Sequence, residues 1–535
     1  MKDSEQNRPA GQNRPTGQNR QEELNRPAAQ KKHIDPSTTV IPMAIILMLC
    51  VYFVTDPEGS TAALAAVRFF LGDTLGSYYL VVGLGVLIVS FYLSYSDIGN
   101  IVLGRPDEKP EFGFWIWGAM VFTCGLAADI LFYSLCEWIY YAEEPHIQEL
   151  GSVQDWASAY PIYHWSMIPW SFYAVLSACF GFMLYVRNRK KQKFSESCRP
   201  ILKEGTDGVP GRLVDILAVF ALIAGTATTF SVSSPLLAQI LSSLAGVENT
   251  KWVTIVILLA VCATYTMSVM HGIKGVAKLS NICMALFGAL LLYVFVTGGE
   301  AMYIVETGIA AIGNVAQNFI ALSTWTDALR TSSFPQNWTI FYWAYWMVWA
   351  VAAPFFMGSV SRGRTVRQVI MGSYLFGVSS TIISFIVLGN YGMGLQMHGK
   401  FDAIALYEAS GSLYETILGI VGNLPFHKVA LVLIVLSMMA FYASSFDSIT
   451  LVACQYSYKE VDGAEDASVQ MKLFWAVLLI LLPIALIFNE SSMNNMQTVS
   501  IIAAFPLGFA IILIIASFIK DAKDYIGELK KRTND

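Results

Sequence analysis

The chain has 535 residues, of which 55% are hydrophobic and only 14% are charged. Soluble domains carry about 25% charged residues, so this composition excludes a soluble multidomain protein and indicates that most of the chain faces lipid. The net charge of −5 gives no indication of a nucleic-acid partner, and the eight cysteines include no CxxC pair that would indicate a zinc finger.

The first 38 residues differ from all that follow, because they contain almost no apolar side chains and repeat the sequence Asn-Arg-Pro. A segment of this composition cannot bury a core, so residues 1–38 are predicted to be a disordered basic cytoplasmic tail that attracts anionic membrane lipid. No small-residue cleavage site follows a short apolar region, and a signal peptide is therefore not predicted.

Twelve apolar segments follow, each near the length of about 20 residues that a helix needs to cross a membrane. Their approximate cores are 39–55, 77–95, 114–141, 161–186, 212–244, 252–270, 279–298, 338–360, 368–393, 427–456, 472–489 and 498–519. The sequence thus predicts an all-α polytopic membrane protein with about 12 transmembrane helices, and these cores are called spans 1 to 12 below.

Basic residues determine the predicted orientation, because loops rich in Lys and Arg remain in the cytoplasm. They cluster in the loops after spans 4, 6 and 8, at 187–193, Lys274, Lys278, Arg362, Arg364 and Arg367, whereas the loop after span 3 is acidic. Both termini are therefore predicted to be cytoplasmic, in a multi-pass protein of the cell (inner) membrane.

Span 3 contains two acidic residues, Asp129 and Glu137, which share one helix face with Tyr133. Ionisable groups inside a span are costly, so both acids are functional candidates. The alternative for each is a Lys or Arg partner elsewhere or a position near an aqueous end, and Glu137 lies nearer the outer end.

Span 8 contains four Trp and two Tyr within 338–349, followed by Pro354. A belt of aromatics at the membrane interface explains one or two of them, but not Tyr345, Trp346 and Trp349, which lie deeper. Aromatic faces away from the headgroups suit a quaternary ammonium cation, with ordinary packing as the alternative. Span 4 supplies further aromatics, Trp165, Trp170 and Tyr173.

Spans 3 and 8 are the irregular, polar-bearing spans, and they lie five apart. This spacing is typical of an inverted repeat of five helices each, with the substrate site at two broken helices near the middle of the membrane. The predicted organisation is the tail 1–38, two peripheral helices in 39–111, the first repeat in 112–300, an amphipathic surface helix and loop in 301–337, the second repeat in 338–519 and a short cytoplasmic tail in 520–535.

Hydroxyl clusters in spans 5 and 10, at 225–231 and 441–448, would approach one another in such a repeat. Their hydroxyls and freed carbonyls could hold a sodium ion, or the Ser and Thr side chains could bond back to their own helices. Asp447 could serve a cation or pair with a loop arginine such as Arg362. No metal site, cofactor or enzymatic nucleophile–base set is predicted.

Residues 336–346, with the sequence 361–367 (SRGRTVR), resemble the signature of the betaine/carnitine/choline transporter family. Residues 132–137 and 164–170 add to the resemblance, which covers about residues 39–525. It implies a ten-helix (LeuT-like) inverted-repeat core, a homotrimer and an aromatic cage for trimethylammonium substrates. The implied cage is Trp165, Trp170, Tyr173 and Trp346, with Tyr140, Tyr345 and Trp349 lining the path.

Asp129 stands where many members of this family have glycine, which makes the chain similar to the choline carriers of the family, often proton-coupled. Choline carries a net positive charge and needs an acid, whereas betaine and carnitine carry their own carboxylate. Cys283 and Ala353 replace an arginine and a methionine of the sodium-independent carnitine exchangers. Leu222 replaces a threonine of the sodium-coupled betaine carriers, although the candidate ion-coupling residues Thr226, Phe441, Ser444 and Ser445 remain.

The sequence therefore predicts a secondary active transporter of quaternary ammonium compounds that prefers choline and is proton-coupled, with Asp129 as both coupling group and substrate ligand. The alternatives are a carnitine, γ-butyrobetaine or glycine betaine carrier that works by exchange or sodium symport. A channel or an osmosensor is the alternative from another class.

Overall fold

A computed structural model of the protein describes residues 33–189, 191–270, 274–459, 467–488 and 493–534. Most of the predicted tail lies outside these residues. Within them, Asp35 caps the first helix by accepting a hydrogen bond from the Ser37 amide, and the helix begins at Pro36. Because Asp before Pro is a strong helix start, the helix begins inside the segment 1–38 that was predicted to be disordered.

All regular structure in the described residues is helical, and the two β-bridges, Ile34 with Tyr458 and Val102 with Thr365, are isolated. The α-helices are α1 (Pro36–Thr55), α2 (Pro57–Arg68), α3 (Ser77–Tyr95), α4 (Phe114–Thr123), α5 (Ala128–Glu143), α6 (Pro145–Leu150), α7 (Val153–His164), α8 (Met167–Tyr185), α9 (Phe194–Ser197), α10 (Arg199–Leu202), α11 (Val209–Ala245), α12 (Lys251–Met270), α13 (Lys274–Thr297), α14 (Ala301–Thr324), α15 (Ile340–Trp349), α16 (Ala353–Ser359), α17 (Val366–Gly372), α18 (Ser379–Ser384), α19 (Asn390–Met397), α20 (Ala403–Ser410), α21 (Leu413–Gly422), α22 (His427–Tyr456), α23 (Val469–Phe488) and α24 (Met493–Asn534). Wider π-helical turns occur at Phe69–Thr74, Pro335–Thr339, Ser373–Val378 and Phe385–Gly389, and 3-10 turns at Asp97–Asn100 and Lys203–Asp207.

Each of the twelve predicted spans coincides with helix in this structure. Eight of the described helical segments are long and apolar enough to cross a membrane, and three sharply bent helix pairs raise the number to eleven. The sixth predicted span falls on α12, of which Lys251–Thr264 is a shorter apolar helix. The prediction of an all-α polytopic membrane protein is confirmed.

Spans 3 and 8 are both broken, as predicted. The α4 and α5 axes meet at 66°, with residues 124–127, which include Gly125 and Ala127, between them. The second break separates Pro335–Trp349 from α16 at an angle of 50°. Pro354 lies in the first turn of α16, where its missing N–H costs no helical hydrogen bond. The two breaks thus fall in the first helix of each predicted five-helix half.

Helix α11 is the long central element of the fold, with 37 residues. It packs against α5, α15, α22, α23 and α24, so it contacts the second part of broken span 3, the first part of broken span 8 and the last three helices of the chain. Its middle, around Thr226 to Ser234, is buried throughout.

The helix predicted near Met302 to Ile320 is α14, which turns by 113° from the preceding Asn281–Thr297. One face packs against α7 and α19, and Met302, Ile309 and Ile320 on the other side are exposed. This two-sided character is that of an amphipathic helix.

The last helix continues beyond the predicted membrane-spanning core 498–519, as α24, to Asn534. Asp521 explains this continuation, because its two carboxylate oxygens pair with Arg187 at 2.8 Å and with Arg189 at 2.9 Å. Glu528 adds a second contact to Arg187 at 3.0 Å. Most of the segment predicted as a short cytoplasmic tail, 520–535, is therefore helical and paired with the loop after span 4.

The SRGRTVR sequence joins two loops. Leu103 donates its amide to the Arg364 carbonyl and accepts from the Gly363 amide, both at 2.8 Å. Gly363 has φ +77°, and a Cβ there would lie 2.2 Å from the Lys109 carbonyl oxygen, so only glycine fits. Arg362 pairs with Glu108 at 2.6 Å. The motif thus fastens the segment after span 2 to the segment between spans 8 and 9.

Candidate functional site

A cavity lies between the two broken helices, with about 750 Å³ of empty space including the solvent at its mouth. Both breaks line it with small residues, Gly125 and Ala127 from span 3 and Ala352 and Ala353 from span 8. Because these side chains are small, the backbone of each break borders the cavity directly.

Aromatic rings form one wall of the cavity. Trp346 is central, with its ring centroid 4.9 Å from that of Tyr173, 5.7 Å from Trp165 and 5.5 Å from Trp170. Trp165, Tyr173, Trp346, Tyr345 and Trp349 line the cavity, whereas Trp170 packs behind Tyr173 and Trp346 without reaching it. The structure therefore brings three of the four predicted cage residues to the cavity surface and places the fourth against them.

Span 9 and the break of span 3 hold this wall in place. Thr381 donates its hydroxyl to the Trp165 carbonyl at 2.6 Å and accepts from Trp170 Nε1 at 3.3 Å. A Cβ at Gly377 would lie 2.3 Å from the Trp170 ring, and one at Gly125 would lie 2.5 Å from it. The large indole of Trp170 fits only because both positions are glycine.

Asp129 lies in the first turn of α5, where the helix begins at the cavity. Its Oδ2 accepts a hydrogen bond from the Tyr345 hydroxyl, which in turn accepts from Thr229 Oγ1 at 2.5 Å. Its Oδ1 has no hydrogen-bond partner in the part of the chain that the structure describes. The three residues connect spans 3, 8 and 5 through one chain of hydroxyls.

No ion pair to Asp129 occurs among the described residues. A buried carboxylate without a basic partner is costly, and a cation that enters the cavity would remove much of that cost. The positive end of the α5 dipole and the Tyr345 hydroxyl provide partial compensation meanwhile. The site is therefore electrostatically suited to a cation.

Glu137 is also buried, but it does not line the cavity. Its carboxylate accepts from the Tyr141 hydroxyl at 2.6 Å and from Trp165 Nε1 at 2.9 Å. Among the described residues, Glu137 has no Lys or Arg partner, and it does not lie at an exposed helix end. Both alternatives considered from the sequence therefore fail for this residue.

Tyr140 lies away from the cavity, packed against Trp338 at 5.0 Å and Tyr407 at 5.9 Å between ring centroids. Next to it, Trp338 Nε1 donates to Glu144 Oε1 at 2.6 Å. Burial raises the pKa of Glu144, and the Trp338 hydrogen bond offsets part of that rise. This aromatic and acidic cluster forms a layer beyond the cage at the acidic-loop end of span 3.

The four residues predicted for ion coupling besides Asp129 divide into two groups. Ser444 and Ser445 line the cavity. Thr226 bonds back to the Leu222 carbonyl at 2.6 Å, and Phe441 packs against Phe287, so neither is among the lining residues. The side chain of Asp447 lies outside the described residues. Among those described, no cluster of three or more His, Cys, Asp or Glu could hold a metal ion.

Several site residues were not singled out from the sequence. Thr229 belongs to the predicted hydroxyl cluster of span 5, but its bond to Tyr345 crosses between spans. Thr381 and Gly377 carry no signal of their own, because a lone threonine or glycine in a span is ordinary. Only the folded arrangement shows that these two residues support Trp170.

Comparisons with known proteins agree on one family. The model of the betaine/carnitine/choline family transporters (BCCT) matches residues 37–526. The glycine betaine transporter OpuD of Bacillus subtilis is 30% identical over 508 residues, which are 94% of this chain and 96% of that protein. The carnitine transporter of Acinetobacter baumannii is 27% identical over 81% of this chain and 78% of its own length. The betaine/ectoine transporter LcoP of Corynebacterium glutamicum is 25% identical over 93% of this chain and 79% of its own length.

Proposed function

Because this chain belongs to the betaine/carnitine/choline transporter family, we propose that it is a secondary active transporter that prefers choline and is driven by protons. Membership makes it a multi-pass membrane transporter of small quaternary ammonium compounds and not an enzyme. The preference for choline and the coupling to protons are the proposal, and they rest on the cavity.

The carboxylate of Asp129 at the start of α5 is the observation that carries the proposal. A half-helix that begins at a substrate cavity presents unpaired N–H groups and a positive dipole end, which attract the carboxylate of an anionic or zwitterionic substrate. Here the chain supplies that carboxylate itself. A substrate therefore needs to bring only its positive charge, and choline is the member of this substrate class that does so.

The aromatic wall supplies the second half of the recognition. Trimethylammonium groups donate no strong hydrogen bond, so they bind by contact with ring faces, which Trp165, Tyr173 and Trp346 provide. Trp170 keeps these rings in place from behind, and Tyr345 and Trp349 border the route past Asp129. Asp129 Oδ1, which lacks a partner among the described residues, is left to face the ammonium charge.

Glycine betaine or carnitine is the second candidate substrate, because relatives at 30% and 27% identity bear those names. Ser444 and Ser445 at the cavity also leave a place for sodium in that case. Against it stands Asp129, since a substrate carboxylate at the start of α5 would meet a like charge and lose affinity.

Transport follows from alternating exposure of this cavity. Asp129 neutralises choline in the closed cavity and is the proposed proton-coupling group, while spans 3, 4, 8 and 9 rock against the rest of the repeat. We also propose that the protein lies in the cell membrane with both termini in the cytoplasm, because the loops after spans 4, 6 and 8 are basic.

The test is uptake of labelled choline into proteoliposomes without sodium and without internal substrate, under proton gradients of either direction. Accumulation above equilibrium under an inward proton gradient is expected. Accumulation only under the outward gradient would make the protein a proton–choline exchanger. No choline uptake, with uptake of glycine betaine or carnitine under a sodium gradient or by counterflow, would overturn the choline assignment. Flux far above carrier turnover rates without counterflow would indicate a channel.

A homotrimer is the assembly that we propose from family membership. Native mass spectrometry of the detergent-purified protein is expected to give three chains per particle, and a purely monomeric protein that still transports would contradict the assignment.

A further inference from the structure

We propose that Glu137 is a positioning residue, which holds the indole of Trp165 in the orientation that the cation requires. The inference rests on the proposed function, because it assigns a role to a buried acid behind the cage. It concerns the geometry of the cage and not the identity of the substrate or of the coupling ion.

Trp165 is the only cage residue at the cavity that stands outside a helix in the described chain. Helix α7 ends at His164 and α8 begins at Met167, so Trp165 and Ser166 connect two helices. A residue at such a connection is not aimed by regular helix geometry, and its ring must be fixed by individual contacts. Its ring packs against Trp346 and Phe385, the Thr381 hydroxyl holds its carbonyl, and the Glu137 carboxyl group accepts the hydrogen bond from its Nε1.

Glu137 is suited to this task by its own surroundings. Glu137 is 1% exposed, and both of its carboxyl oxygens accept hydrogen bonds from neutral donors, Trp165 Nε1 at 2.9 Å and the Tyr141 hydroxyl at 2.6 Å. A hydrogen bond inside the protein is electrostatically stronger than one in water, so this contact holds the indole in one orientation. Burial of a carboxylate for packing alone would be costly, and an apolar residue would pack without that cost.

The hydrogen bonds continue from Glu137 to the other broken span. Because the Tyr141 hydroxyl donates to Glu137, it accepts from His164 Nδ1 at 2.7 Å. His164 Nε2 then accepts from Thr339 Oγ1 at 3.0 Å, in the turn that precedes α15. The orientation of Trp165 is therefore tied to spans 3 and 8 together, the two helices that enclose the cavity.

The experiment is a double-mutant cycle on substrate affinity, measured by isothermal titration calorimetry on the purified full-length chain. Choline, glycine betaine and carnitine are each titrated, and the one that the unmodified protein binds most tightly serves as the probe. Glu137→Met removes both acceptors at similar volume, and Glu137→Gln retains one acceptor. Trp165→Phe keeps an aromatic face but removes the indole N–H. Glu143→Gln, on the same helix but half-buried, is the matched control.

In the unmodified background, Glu137→Met is expected to weaken choline binding about tenfold in Kd, the equivalent of one lost buried hydrogen bond, and Glu137→Gln less. In the Trp165→Phe background the same Glu137 changes are expected to leave the Kd unaltered, because there is no N–H left to position. Glu143→Gln is expected to leave it unaltered in both backgrounds. If Glu137→Met is too unstable to purify, the Glu137→Gln arm of the cycle decides.

An unchanged Kd for the Glu137 variants, or an equal loss of affinity in both backgrounds, would overturn the inference and leave the transport proposal standing. Binding of betaine in place of choline would overturn the choline assignment. The double-mutant cycle would then be measured with betaine and would still test the positioning role of Glu137. Absence of binding for all three compounds in the unmodified protein would remove the cage, and the positioning role with it.

Discussion

Asp129 and Tyr345 form the pair on which the proposed selectivity for choline depends. The Tyr345 hydroxyl donates to one carboxylate oxygen, the other has no hydrogen-bond partner among the described residues, and Thr229 fixes that hydroxyl from α11 at 2.5 Å. A carboxylate that could rotate freely would have to be ordered when the cation binds, and its affinity for the cation would be lower. We therefore propose that Tyr345 acts on the substrate through Asp129 as well as by its ring.

Tyr345→Phe keeps the ring and removes the donor. We expect the KM for choline uptake to rise about tenfold, as loss of one hydrogen bond to a charged group implies, with a smaller change in maximal rate. Thr229→Val, which removes only the outer link of the chain, is expected to raise it less. Initial uptake rates in proteoliposomes measure both, and an unchanged KM in Tyr345→Phe would show that the hydroxyl does not orient Asp129.

Single residues of the site differ in how far the sequence reveals them. Asp129 and Trp346 stand out because a charge or a cluster of indoles within a span has few ordinary explanations. Thr381 and Gly377 do not stand out, because their importance lies in contacts with Trp165 and Trp170 on another span. Tyr140 has the right chemistry for a cage, but its place beyond the cavity depends on packing against Trp338.

Among elements, the two broken helices create the site. Residues 124–127 and 350–352 interrupt spans 3 and 8 at facing positions, so the cavity forms between helix ends and not between intact helix faces. The break in span 3 places Asp129 at a helix start, and that in span 8 follows Trp346 and Trp349 within one turn.

Gly125→Ala tests the close approach at the first break. The added Cβ would lie 2.5 Å from Trp170 Cζ2 and 2.8 Å from Ser380 Oγ, so the indole must move toward Tyr173 and Trp346. We expect choline affinity to fall about tenfold, a typical effect of overpacking by one methyl group. Gly85→Ala in α3 is the control, because a Cβ there meets no atom within 4 Å. Equal Kd values for both variants would contradict this role of the break.

Thr381→Val tests the contribution of span 9. The change keeps the shape of the side chain but removes the hydrogen bonds to Trp165 and Trp170, so we expect choline binding to weaken by roughly fivefold. Ser379→Ala, an exposed residue on the same helix that bonds only to Leu375, is expected to bind as before. Titration calorimetry measures the Kd of choline for both variants. An equal loss of affinity in the two would show that the effect comes from disturbing α18 as a whole and not from the Thr381 hydroxyl.

Elements are predicted well where hydrophobicity alone decides them. All twelve spans coincide with helix, because a length of about 20 apolar residues is a strong requirement of the bilayer. The ends are predicted less well. Helix α1 begins at Pro36 because Asp35 caps it. Helix α24 continues past 519 because Asp521 and Glu528 pair with Arg187, which lies more than 300 residues away in the sequence.

For the whole molecule, the pairing of α24 with the loop after span 4 fastens the end of the second repeat to the first. Asp521→Ala leaves two partly buried guanidinium groups without this partner, so we expect a loss of about 2 kcal/mol in stability. Glu528→Gln, at an exposed position, is expected to cost less. Thermal unfolding of the detergent-purified variants measures both, and identical melting temperatures would show that the pairing does not stabilise the fold.

The central claim for the molecule as a transporter is that Asp129 supplies the negative charge that choline lacks and betaine possesses. The most direct measurement is the Kd of choline and of glycine betaine, by titration calorimetry, for the unmodified protein and for Asp129→Asn. We predict that Asp129→Asn binds choline at least about tenfold more weakly, as loss of a buried counter-charge implies, and binds glycine betaine as well as the unmodified protein or better. Equal changes for the two compounds, or choline binding that is unaffected, would contradict it.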